Sequence, residues 1–119
     1  MFVNLSNHNS TKWPPEQLEE AKKWGEITDY PFPPVSANAT TEDVINLAEK
    51  VAKEICGLKP DCVMCQGEFT LTYHIVALLK KEGIPVVAGC SERNVMEQTK
   101  EDGSVERVAI YKFVQFREY

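Results

Sequence analysis

Residues 61–66, DCVMCQ, carry apolar side chains at successive positions, so a strand formed there has to be covered on both faces. That excludes an open sheet with one wet face. A run of this kind belongs in the middle of a parallel sheet, and amphipathic helical patterns precede and follow it. The sequence therefore predicts a three-layer α/β domain with a mostly parallel, Rossmann-like sheet.

The helices are marked by their ends. Pro14 and Pro15 introduce EQLEEAKKWG, in which Leu18, Ala21 and Trp24 recur at helical spacing, acidic residues lead, lysines follow and Gly25 closes. Thr40 to Asp43 reads T-T-E-D, a capping box with Thr40 as N-cap and Asp43 at N3, and Val44, Leu47, Ala48, Val51 and Ile55 continue it as an apolar stripe to Gly57 and Pro60. Leu71 to Glu82 gives a third helix ending at Gly83. Its first half, LTYHIVALL, is apolar almost all round, so it either lies deep in the domain or, as so small a chain favours, turns its outer face to another subunit.

Extended runs fill the spaces between. Phe2 to Leu5 is a first strand, Ile27 supports a short second one before three prolines, and IPVVAGC at Ile84 to Cys90 is a further buried strand. Val95 to Thr99, the turn Lys100 to Gly103, and Ser104 to Phe116 form a C-terminal antiparallel hairpin with turn chemistry at Asp102-Gly103. Val108, Ile110, Val114 and Phe116 share one parity, Tyr111 and Phe113 the other, and both faces are expected to be covered.

Composition narrows the function. At 119 residues and 43% hydrophobic the chain holds one core, and no apolar run is long enough for a membrane span. The opening MFVNLSNHNS lacks the basic start and apolar stretch of a secretory signal, so a cytoplasmic protein is expected. A net charge of -5 disfavours a grip on long DNA or RNA, which needs a broad basic footprint. Cys56, Cys62 and Cys65 suggest zinc at first sight. However, an offset of three on a strand sends Cys62 and Cys65 to opposite faces, and no histidine lies close in sequence, so no metal is expected.

In a sheet of this kind ligands bind beyond the carboxyl ends of the strands, near the switch in strand order. Three polar loops are predicted to meet there: Ser6 to Ser10, Gln66 to Thr70, and Cys90 to Asn94. In the first, His8 suits general acid or base work near neutral pH, set against a plain solvated histidine. In the second, Gly67 allows close backbone approach, and the N–H groups opening the third helix make an anion site if Glu68 points away. The plainer reading is a tight turn with Glu68 or Thr70 as its cap. In the third, Arg93 offers a planar fork for phosphate, or only a surface pair with Glu92. Trp13 suits stacking on a base or packing over the first helix. His74 reads as a core or interface residue.

The opening FVNLSNHNSTKWPPEQLEEAKKWGEI, in which a strand gives way to an S-x-H loop and an E-Q helix, resembles the small stand-alone CRISPR-associated proteins with a CARF-like Rossmann fold, and QGEFT and CSER fall where that family places ligand-facing segments. The resemblance implies binding of a cyclic oligoadenylate second messenger across a two-fold homodimer, with either ring-nuclease cleavage or sequestration. It implies a pocket lined by Ser6, Asn7, Gln66, Gly67, Thr70 and Ser91, to which Asn9, Trp13 and Phe69 are added as neighbours. Catalysis without metal or cofactor would fall to His8, Glu68 and Arg93, through attack of a 2′-hydroxyl on the adjacent phosphate. Two other readings are a non-catalytic sponge or sensor for the same messenger, and a small α/β interaction subunit with no nucleotide ligand.

Overall fold

The computed structural model describes residues 1–119. Its elements are β1 (Phe2–Ser6), α1 (Pro15–Lys22), β2 (Ile27–Pro31), α2 (Thr41–Gly57), β3 (Cys62–Gln66), α3 (Phe69–Lys81), β4 (Val86–Thr99) and β5 (Val105–Glu118). They form one five-stranded sheet in the order β2-β1-β3-β4-β5. The first four strands are parallel, and β5 runs antiparallel to β4 at the edge. The three-layer α/β sheet with its C-terminal hairpin is therefore present.

Strand alternation sorts the core into two layers. Val3, Leu5, Val63, Cys65 and Val86 meet residues of α2 and α3 on one side, while Phe2, Cys62, Met64 and Val87 meet Ala21 of α1 and, just before that helix, Trp13 on the other. β2 and β3 flank β1 on opposite sides, so right-handed crossovers place α1 opposite α2 and α3. Cys62 and Cys65 do face opposite layers, and burial pushes their thiols up to about 11 and about 12. No three His, Cys, Asp or Glu side chains gather as a metal-binding group, and no helix is long and apolar enough to cross a membrane.

The ends of α2 follow the sequence closely. Thr40 Oγ1 accepts from Asp43 N–H at 3.1 Å and the Asp43 carboxylate accepts from Thr40 N–H at 3.0 Å. β2 departs from expectation by running through Asp29 and Tyr30 as far as Pro31, because it lies at a sheet edge where a proline's missing N–H costs no ladder bond.

The C-terminal third departs further. Cys90 to Asn94 is not a loop: β4 continues without a break from Val86 to Thr99, paired throughout with β5. A bulge opposite Cys90 and Ser91 inserts one extra residue into β5, so that Ser91 stands opposite Phe113 while Gly89 stands opposite Phe116. Phe113 and Phe116 therefore share a face at a spacing of three, with ring centroids 5.0 Å apart. Phe116 also lies 5.1 Å from Phe2. This corrects the parity expected for Phe116. Nor are both faces covered, since every residue from 91 to 107 is exposed. The ribbon beyond Ser91 is about 30 Å long at the usual strand rise. It raises the radius of gyration to 17.1 Å, against roughly 13–14 Å for a compact chain of this length.

Candidate ligand site

The strand order reverses direction at β1 and β3, and beyond their carboxyl ends the structure opens a cavity of ≈ 470 Å³. Ser6, Asn7 and His8 line it from the loop after β1, Gln66 and Gly67 from the end of β3, and Ser91 from β4. Trp13, Phe113 and Tyr111 give it an aromatic side, and Lys12 a cation. Six residues predicted on three segments thus come together, with Trp13.

The first loop is held from below by a buried polar network. Asn4, 1% exposed in the middle of β1, donates its two amide hydrogens to the His8 carbonyl and to Asp29 Oδ1, both at 2.8 Å, and accepts from Ser6 Oγ at 2.7 Å. Ser6 Oγ accepts in turn from His8 N–H at 3.2 Å. The His8 main chain is therefore fixed at both its N–H and its carbonyl, while its imidazole remains exposed at the cavity. Asp29 anchors the far side of the loop by accepting from Ser10 N–H and Ser10 Oγ at 2.9 and 2.8 Å. Burial alone would raise the Asp29 carboxyl, but the bonds from Asn4 and Ser10 outweigh it and hold the group below its ordinary value.

Gln66 works at a fork in the sheet. β3 and β4 pair only at Val63–Val86 and Met64–Val87 and then diverge, and the Gln66 amide spans the gap, accepting from Gly89 N–H at 2.8 Å. Gly67 has a structural reason as well. A Cβ there would stand 2.5 Å from the Phe32 ring, so the glycine gives room to a buried aromatic side chain.

Five expected residues lie elsewhere. The Glu68 carboxylate does not point away from α3: it caps the helix, accepting from Leu71 N–H at 2.8 Å, Thr70 N–H at 3.1 Å and Thr70 Oγ1. Those bonds, Leu71 first, hold its carboxyl below the usual range, so the group stays ionised and fills the would-be anion site, in line with the plainer reading of Glu68 as a cap. Thr70 is spent on the same cap. Phe69, 90% exposed, lies on the outer face of α3 with Tyr73. Arg93 is absent from the cavity wall because its loop is strand, but it stands opposite Tyr111, two rungs beyond Ser91 and on the same face. Asn9 lines a smaller cleft of ≈ 190 Å³ behind the first loop, where its side chain accepts from Thr11 N–H.

Sequence reasoning missed Asn4, Lys12, Asp29 and Tyr111. Asn4 carried a signal, being the one non-apolar residue inside the buried run FVNL. Tyr111 carried none, since its place depends on how far β5 folds back along β4.

A family model described as "Uncharacterized protein MJ1673 family" matches residues 1–117. No curated protein and no solved structure matches the chain.

Proposed function

The chain belongs to the MJ1673 family, and from the geometry of its site we propose that it binds a cyclic oligoadenylate and opens the ring. One observation carries the reading: a polar cavity at the switch point that combines an exposed imidazole, a lysine and an aromatic side. A purine ring stacks on Tyr111, the exposed ring of the aromatic side, which the buried Trp13 and Phe113 back, and phosphates meet Lys12 and the hydroxyl and amide groups of Ser6, Asn7 and Ser91. At ≈ 470 Å³ the cavity suits part of a ring rather than the whole, so a second copy holds the remainder and a symmetric ring such as cyclic tetra-adenylate matches a two-fold pair.

The reaction follows from that placement. A ribose 2′-hydroxyl attacks the adjacent phosphorus, a 2′,3′-cyclic phosphate forms, and the bond to the 5′ oxygen breaks. His8 takes the 2′ proton, Lys12 offsets charge on the phosphate, and the leaving 5′ oxygen receives a proton from solvent. Glu68 has no part in this, being committed to its cap. Arg93 reaches only a portion of ligand that extends along the ribbon.

That loss of two expected catalytic groups favours a second reading, a sponge that holds the same messenger uncut. Incubation with cyclic tri-, tetra- and hexa-adenylate in EDTA, with chromatography and a parallel binding assay, separates them. Linear products that disappear in His8→Ala while binding persists support cleavage. Binding with the ring unchanged supports the sponge, and neither binding nor cleavage overturns both.

A further inference from the structure

Beyond the Ser91–Phe113 rung no other element of the chain covers the β4–β5 ribbon. An isolated two-stranded ribbon is marginal in water, and its edges are open to pairing. Register assigns its faces. Glu92, Asn94, Met96 and Gln98 stand opposite Lys112, Ile110, Val108 and Glu106 and share one side. Alternation back through Cys90 and Ala88 to Val86 puts this face on the side of the sheet where α3 packs. Its middle rungs hold Met96, Val108 and Ile110, and its charges sit at the ends.

This pattern is complementary to itself. A two-fold axis running across the ribbon between the middle rungs lays the tip of one copy over the base of the other. Lys112 then faces Glu106 of the partner subunit, Val108 faces Ile110 of the partner subunit, and Glu92 faces the uncharged Gln98 of the partner subunit. No like charges meet. Residues 91–117 contain five acidic and five basic side chains, so the net charge of -5 lies wholly outside the ribbon and two ribbons do not repel. We propose that this face pairs two copies of the chain about a two-fold axis, ribbon against ribbon, a contact distinct from the one that shares a ring, because it turns the opposite face, with Tyr111, Arg93 and the cavity, outward in each copy.

One ribbon face offers on the order of 300 Å², below the roughly 800 Å² per partner of a standard interface, so the pair exchanges in the micromolar range. Sedimentation velocity of the full chain without ligand, from about 1 to about 200 μM, tests the proposal. A dimer is expected at the upper end. Met96→Ser combined with Ile110→Ser raises Kd about ten-fold or more without loss of fold by circular dichroism, because both side chains are exposed in the single chain. Lys112→Glu weakens the dimer, and adding Glu106→Lys restores it. A monomer throughout overturns the proposal. So does a double charge reversal as weak as the single one, or a dimer that yields to Phe69→Ser with Tyr73→Ser but ignores the ribbon variants. No ring ligand enters, so a monomer throughout sinks this pairing and leaves the proposed activity to its own assay.

Discussion

Gly67 shows how a residue that reads as a ligand-approach glycine can answer to packing instead. Its φ is not in the left-handed region, and the constraint on it is the Phe32 ring that a Cβ would strike. Gly67→Ala is expected to cost about 1–3 kcal/mol in urea unfolding, with Phe32→Leu in the same chain recovering part of it. Simple additivity of the two changes would remove the clash as the cause. Asp29 gives a pH test of the loop. Its folded value lies below the unfolded one, so the stability it contributes is present above the ordinary aspartate range and is lost as pH falls through the lowered value. Asp29→Asn should therefore lower Tm at neutral pH and lose that disadvantage in acid, and a Tm difference independent of pH would mean that the charge is not what anchors Ser10. Neither feature was legible from the chain alone. The buried Asn4 was visible as an oddity in FVNL, but its partner Asp29 meets it only after β2 pairs with β1, and His8 only where the loop after β1 turns back.

At the scale of elements, local chemistry was readable and long-range pairing was not. The T-T-E-D capping box appears as predicted because its bonds lie within three residues. The Cys90–Asn94 segment misled because a polar, charged run resembles a loop until β5 supplies a partner, and the bulge opposite Cys90 has no local mark. That bulge leads to a prediction. Deleting Val114 leaves Phe113 opposite Ser91, Gln115 opposite Cys90 and Phe116 opposite Gly89, so both flanks keep their register. The fold should survive with a stability change of about 1 kcal/mol or less, while the redirected ribbon moves Tyr111 and weakens ligand binding. If Phe116 were instead thrown to the other face, its contacts with Phe2 and Trp13 would be lost. The cost would then rise to about 3 kcal/mol and Trp13 fluorescence would shift.

The whole molecule divides into a body that carries the core and an arm that does not. Buried side chains run from Phe2 to Val87 and resume only at Phe113, so the ribbon between Ser91 and Phe113 adds length without adding core. The layered body was legible because a two-sided apolar strand between capped helices admits few architectures, and it carried the location of the cavity with it through the switch in strand order. The arm was not, since a sequence that alternates on both faces gives no sign of being left uncovered. Replacing residues 92–112 by Asn-Gly closes Ser91 to Phe113 as a two-residue hairpin. The shortened chain should keep its α/β circular dichroism and a Tm within a few degrees of the parent, because almost no apolar burial is removed. It should also lose concentration-dependent association, and bind a ring ligand more weakly because Tyr111 and Arg93 are gone. A collapse of Tm would show that the arm stabilises the body it extends from, most directly by holding Phe113 against Phe116.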